Sequence, residues 1–268
     1  MDKLDIKTDQ NNEFPIIGIA CCAACLENLK TLVGSLTETT GSFIIFQDLS
    51  QPQQKNLSEM LQQTAILPVQ EIVSTAEMKP GYIYVVPENN FLILDQGILR
   101  LKRFTREEKP SESLDQFFGA LAEKFGKDAI GLLLNYPTGE GAWGLKKIRA
   151  KGGSTIAVSD LTVLPISDMA ETTFDYFIRP THTADMLATI RAVKLAVQDQ
   201  STEAQQAYEN IIKLAAMKSR TALERFNTEI LKHKTAKRMV LTRQKSLVGY
   251  LGMLKDSSSE QDCYFMKS

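Results

Sequence analysis

Three of the chain's four cysteines fall within five residues, in the run Cys21-Cys22-Ala23-Ala24-Cys25. A thiolate is a strong nucleophile and a soft metal ligand, and a CxxC pair can cycle between dithiol and disulfide. The flanking residues narrow the chemistry. An apolar run from Phe14 to Ala20 reads as a buried strand, and Leu26-Glu27 opens a helical pattern. Strand, tight turn and helix is the arrangement that lifts a nucleophile above the end of a parallel sheet and aims a helix N-terminus at it. Three readings of the cluster stand together: Cys22 as nucleophile, Cys22 and Cys25 as a redox pair, or small side chains filling a tight turn.

A chain of 268 residues with 43% hydrophobic content can bury a sizeable core in one or two domains. A net charge of -1 gives no general attraction to nucleic acid or to an anionic membrane. The longest apolar runs are strand-sized, so no membrane insertion is expected. Residues 1–13 are polar and acidic, lack the apolar core of a secretory signal and are expected to form a flexible leader. Clustered cysteines are not a disulfide framework, which points to a reduced, cytoplasmic protein. No cofactor is expected.

The elements that must position the cysteines alternate between strand and helix. Residues 43–46 (FIIF) make a second buried run, with a helix over 57–63 after it. Residues 82–86 and 91–94 read as a hairpin joined through Pro87-Glu88-Asn89-Asn90, followed by a strand at 98–101. A helix spans 114–125, a buried strand 129–134, and a helix 141–151 closed by Gly152-Gly153. Strands at 155–158 and 176–178 complete the series, so the expected fold is α/β, a three-layer sandwich around a mainly parallel sheet. After Thr183 strand signals vanish, and helices are expected over 184–198, 202–217 and, as the last one, 247–255. The expected domains are residues 14–191 and a C-terminal all-α unit over 192–268.

Over roughly residues 14–190 the sequence resembles CheB-type chemoreceptor methylesterases. Residues 14–29 (FPIIGIACCAACLENL) resemble the family's nucleophile turn, G-I-G-A-S-A-G-G-L-E-A-L, and residues 43–49 (FIIFQDL) its second strand, V-V-Q-H-L. Residues 79–87 match P-x-x-V-Y-V-I-P, and Leu114-Asp115 with Phe117-Phe118 match I-D-x-F-F-x-S-L-A. Residues 129–135 match A-I-G-I-I-L-S, while Gly141, Gly144-Leu145, Ile148 and Gly152-Gly153 match G-T-G-S-D-G-T-L-G-L-x-x-I-x-x-A-G-G. The resemblance implies the family fold and places its catalytic Ser, His and Asp at Cys22, Asp48 and Glu140.

All three chemistry positions are therefore substituted. Ester hydrolysis needs a nucleophile that loses a proton, a neutral base that takes it, and a carboxylate that orients the base. Asp48 carries a fixed negative charge and a pKa far from neutrality where imidazole would sit. With Glu140 it would raise a nearby thiol's pKa rather than lower it. The only histidines are His182 and His233. Ala24 and Cys25 stand on the family's two turn glycines, where they crowd the approach to an oxyanion. The glycine-rich stretch reads Tyr136-Pro137-Thr138-Gly139-Glu140, and the family's G-M-P motif is reduced to Leu164-Pro165. Asp48 and Glu140 are expected to be hydrated carboxylates, and Trp143 to fill core or cleft. A soft metal on the three cysteines would need a fourth ligand, for which Asp48 is the candidate.

Residues 222–254 resemble the small helical N-terminal domain of CheR-type methyltransferases, through Phe226, Leu231, Lys237-Arg238-Met239, Ser246-Leu247 and Tyr250-Leu251. CheB–CheR fusions have this domain order, and the sequence reads as the front portion of one. Its basic run, Lys232, His233, Lys234, Lys237, Arg238, Arg243 and Lys245, reads either as a face for acidic receptor helices or as a solvated helix surface. The expected function is a degenerate methylesterase-like protein-binding module in chemotaxis-type signalling, with a chemoreceptor or other signalling protein as partner. An active protein-glutamate methylesterase using Cys22 and a thiol redox sensor using Cys22 and Cys25 are the alternatives.

Overall fold

The computed structural model describes residues 14–37, 41–50, 53–95, 97–105, 108–135, 140–160, 172–219 and 228–265. The chain divides into two units that meet between Pro180 and Thr181. The helix Thr183–Gln198 packs on the helix Thr228–Leu241 within the second unit, so the division falls near the change of composition after Thr183 and earlier than the expected boundary at 191/192.

In the first unit, apolar runs with both faces buried form the central strands, as a parallel sheet covered on two sides requires. These are β1 (Ile16–Cys21), β2 (Ser42–Gln47) and β8 (Ala129–Leu134). With β3 (Val69–Glu71), β5 (Ile83–Val85), β9 (Ser154–Val158) and β10 (Tyr176–Ile178) they make a seven-stranded sheet in the order β10-β9-β8-β1-β2-β5-β3. Every pairing in that sheet is parallel. The helices are α1 (Leu26–Ser35), α2 (Leu57–Gln62), α3 (Ser113–Phe125) and α4 (Ala142–Ala150). A second, antiparallel sheet has the order β4-β7-β6, from Thr75–Glu77, Ile98–Arg103 and Asn90–Asp95.

That second sheet corrects the expected hairpin. Residues 83–85 and 90–95 do not pair: β5 lies in the parallel sheet, and β6 makes its hairpin with β7. The burial patterns give the reason. Ile83, Tyr84 and Val85 are all buried, whereas Ile93 and Asp95 of β6 face outward. The turn between β6 and β7 uses Gly97 at φ +82°, a conformation glycine adopts without a Cβ clash.

The close seat of α3 depends on glycine. Gly18 of β1 and Gly131 of β8 are side-by-side partners in the sheet. A Cβ on Gly18 would lie 2.1 Å from Leu121 Cδ1, and one on Gly131 would lie 2.5 Å from Leu145 Cδ2. Phe117, Phe118 and Leu121 of α3 occupy the space, with Phe117 stacked on Phe46 of β2 at 4.8 Å between ring centroids. Gly144 brings α4 against α3: its N–H donates to Asp115 Oδ1 at 2.9 Å, and a Cβ there would meet the Asp115 carbonyl at 2.7 Å. α4 ends as its sequence suggests, with Gly152 N–H donating to Arg149 O and Gly153 N–H to Ile148 O, each at 2.9 Å. Arg149 reaches Asp175 beside β10, Nε to Oδ1 3.0 Å, and Asp175 Oδ2 also accepts the Thr155 N–H at 3.0 Å.

The second unit is helical: α5 (Thr183–Gln198), α6 (Thr202–Ser219), α7 (Thr228–Leu241), α8 (Leu247–Asp256) and α9 (Ser258–Phe265). α9 is a correction, because the helix expected over 247–255 was to be the last. Tertiary packing orders this short segment: Tyr264 is buried, its ring 6.0 Å from that of Tyr250 and its hydroxyl 2.8 Å from Thr235 Oγ1. Glu260, also buried, accepts from Arg238 Nε at 3.0 Å and from the Tyr250 hydroxyl at 2.8 Å. Arg238 is thereby tied to a buried carboxylate, so the basic run of α7 is not one continuous solvent-facing surface. Phe226 of the expected motif lies outside the described residues. Among the described residues, no helix is long and apolar enough to cross a membrane.

Two measurements check these contacts. Gly144→Ala is expected to destabilise the first unit by about 2 kcal/mol, because backbone rather than a mobile side-chain tip blocks the new methyl. Urea melts followed through the single tryptophan, Trp143 in α4, read this directly, and an unchanged midpoint would refute it. Glu260→Ala leaves Arg238 with a partly buried, uncompensated charge, and should cost about 3 kcal/mol or more in circular-dichroism melts of the helical unit.

Candidate active site

In an open parallel sheet, ligands bind beyond the carboxyl ends of the strands where neighbouring strands connect in opposite directions. Here that point lies between β1 and β8, because β1 leads to β2 on one side while β8 leads to β9 on the other. Cys22 follows β1, Asp48 follows β2, and Glu140 lies between β8 and α4. All three expected positions therefore come from connections at the same end of the sheet. The register is tight: Cys21 pairs with Gln47, and the Asp48 N–H donates to the Cys21 carbonyl at 2.8 Å, which sets Cys22 and Asp48 side by side as the strands end.

The carboxylates are held by one serine. Asp48 Oδ1 accepts the Ser50 N–H at 2.8 Å, closing a local turn, while the Ser50 hydroxyl donates to Glu140 Oε2 at 3.0 Å. Asp48 is only 6% exposed. This corrects the expectation of a freely hydrated carboxylate: its role in holding the β2 end together withdraws it from water. Ser50 was not singled out from sequence, since a serine two residues after an aspartate is too common a pattern to mark it. Residues 136–139 and 164–165, where further departures from the family pattern occur, lie outside the described residues.

The sulfur atoms lie in three environments. Cys21 is buried at the end of β1, with Sγ 3.9 Å from the Phe46 carbonyl oxygen. Burial lifts its thiol far above the usual range, and the nearby Cys25, Cys22 and Asp48 add to the effect. Cys22 is half-buried in the turn, and its Sγ lies 3.0 Å from Cys25 Sγ. Cys25 is buried, with Sγ 3.7 Å from the Leu134 carbonyl oxygen. Burial, followed by its hydrogen bond with Cys22, pushes the Cys25 thiol up to about 12, against a lowering contribution from Asn135. Asn135 stands at the end of β8 with φ 51° and accepts a bond from Asn28 Nδ2 at 3.1 Å, joining α1 to β8.

The turn offers little to a developing oxyanion. The Cys25 N–H already donates to the Cys22 carbonyl at 3.0 Å, closing the tight turn Ala23–Cys25 before α1. Trp143 does not fill the cleft, contrary to expectation. It is 59% exposed, with Lys147 Nζ 3.7 Å from its ring centroid. α4 buries Ala142, Gly144, Leu145 and Ile148, so position 143 points off that face and meets the side chain one turn later. The first unit contains no histidine, since His182 and His233 both belong to the second. Among the described residues, no group of three or more His, Cys, Asp or Glu side chains is arranged to hold a metal ion.

These environments predict an order of thiol reactivity. At about pH 8 a thiol with a pKa near 12 holds roughly a thousandfold less thiolate than an ordinary one. Iodoacetamide on the folded protein should therefore label Cys22 well before Cys25 or Cys21, and Cys25 labelling should still be rising with pH far into the alkaline range. Peptide mapping after timed quenching measures this, and equal labelling of Cys22 and Cys25 would contradict it.

Comparison with known proteins agrees with the fold. The sequence profile of the family described as CheB methylesterase matches residues 17–178. A putative protein-glutamate methylesterase/protein-glutamine glutaminase of Leptospira interrogans is 26% identical over 176 residues, which are 63% of this chain and 89% of that protein. The protein-glutamate methylesterase FrzG of Myxococcus xanthus is 32% identical over 146 residues, 54% of this chain but only 44% of FrzG. The crystal structure of the CheB methylesterase catalytic domain of Thermotoga maritima aligns with a TM-score of 0.53 at 21% identity, covering 65% of this chain and 97% of that domain. The seven-stranded sheet, its flanking helices and a profile match running from β1 to β10 lead to one conclusion: this chain belongs to the CheB methylesterase family.

Proposed function

We propose that this protein is a degenerate member of its family, a protein-binding module in chemotaxis-type signalling that has kept the methylesterase scaffold and lost its hydrolytic machinery. One observation carries the reading. The position beyond β2, where the chemistry requires a neutral base, holds Asp48, a buried carboxylate whose Oδ1 is engaged by the Ser50 N–H. A carboxylate in that place is poorly matched to the work of a general base near neutral pH. The turn beyond β1 adds to the deficit, because the Cys25 N–H is engaged by the Cys22 carbonyl.

The resemblance of the second unit to the CheR N-terminal domain supports the binding role. Lys232, Lys237 and Lys245 on and after α7, with exposed Arg243 at 3.7 Å from Asp185, supply positive charge suited to an acidic helical partner, a chemoreceptor or another signalling protein. Arg238 does not belong to that surface, because it is paired with Glu260. The setting for such a role is the cytoplasm.

Hydrolysis of protein-glutamate methyl esters by the wild type and by Cys22→Ala tests the proposal. Both are expected to run at the same background rate. General base catalysis alone contributes about 10²–10⁴-fold, so a working Cys22 site would separate the two proteins by at least that order. A wild-type rate that falls on substitution of Cys22 would establish the active-esterase alternative instead.

A further inference from the structure

We propose that Cys22 and Cys25 form a reversible intramolecular disulfide, which makes the β1–α1 turn a redox modification site. The inference goes beyond the binding role above and does not depend on whether ester hydrolysis occurs.

The geometry carries it. The two sulfur atoms lie 3.0 Å apart, so they must close by only about 1 Å to reach bonding distance. The backbone is already folded for the link. The Cys25 N–H bond to the Cys22 carbonyl at 3.0 Å closes a four-residue turn. Such a turn holds its terminal Cα atoms within about 7 Å, and disulfides span about 4.4–6.8 Å between Cα atoms. The other cysteines are placed elsewhere: Cys21 is directed at the Phe46 carbonyl, and Cys263 is an exposed residue of the second unit.

The pair also divides the work of thiol–disulfide exchange. Cys22 is the more accessible of the two and serves as the entry thiol, while Cys25 is buried behind it. The oxidant is a low-molecular-weight disulfide, RSSR. The Cys22 thiolate attacks one of its sulfurs, giving Cys22–S–SR and releasing RS⁻. Cys25 then attacks the Cys22 sulfur, the S–SR bond breaks, and the second RS⁻ leaves with the Cys25 proton. In sum, two protein thiols and RSSR become one protein disulfide and two RSH. Burial, then the side-chain hydrogen bond with Cys22, hold the Cys25 thiol high, while the Cys22 backbone and the Asn135 side chain act in the opposite direction. The order of attack follows from access, since an incoming disulfide meets half-buried Cys22 before buried Cys25.

The test is a titration of the full chain through graded ratios of reduced to oxidised glutathione. The protein is then acid-quenched, unfolded, alkylated and mapped by peptide mass. The expected result is a single transition in which Cys22 and Cys25 lose their alkyl labels together, the peptide containing them loses two hydrogen masses, and dithiothreitol restores both labels. Cys21 keeps its label throughout. Cys25→Ser should instead accumulate a glutathione adduct on Cys22. The proposal is overturned if Cys25 in the wild type stays alkylatable at every ratio, if only a Cys22–glutathione adduct appears, or if Cys21 enters the link. The wild-type titration decides the matter whether or not the variant folds.

Discussion

Gly18 and Gly131, register partners on the two central strands, form a floor without side chains on which α3 and α4 rest. The arrangement of the first unit follows from that close approach. It brings Phe117, Phe118 and Leu121 down onto the sheet, where burial of their large apolar surfaces is a principal stabilising contribution. It also lets α4 approach α3 through Gly144, and so places the connection carrying Glu140 beside those carrying Cys22 and Asp48. A methyl group at Gly18 would meet Leu121 and Phe117 of α3, and one at Gly131 would meet Leu145 and Ile148 of α4.

The chemistry at those ends is set by what shares the small space. Serine bridges two carboxylates, and neither is left as an unencumbered base. Two sulfurs meet in a turn whose own backbone hydrogen bond consumes an N–H suited to an oxyanion. Small side chains fill this tight turn, a half-buried thiol lies over a buried one, and an asparagine at the end of β8 lies beside the inner sulfur.

The strands and helices of the first unit were largely legible in the sequence, because each carries a local pattern. The runs at 16–21, 42–47 and 129–134 are apolar on both faces, and α4 ends at a glycine pair. Legibility failed where partners far along the chain decide the outcome. Residues 83–85 and 90–95 look like two arms of a hairpin, and only the parallel pairing of β5 with β2 separates them. α9 has a polar, serine-rich start and little intrinsic signal, and becomes a helix because Tyr264 and Glu260 find buried partners. Trp143 reads as core from its composition, yet its angular position on α4 turns it outward.

The sequence by itself determined most of the element types and pointed to the three positions that could carry chemistry. Those properties reside in residue identity and short-range periodicity, whereas the division at Pro180 is what puts His182 outside the unit that holds the three positions. Tertiary structure alone decided that Ser50 joins Asp48 to Glu140 across 90 residues, and that Cys25 rather than Cys21 faces Cys22. Hydrogen bonds and sulfur contacts act over a few ångströms, and which atoms come that close is set by strand register and by the glycine floor beneath α3.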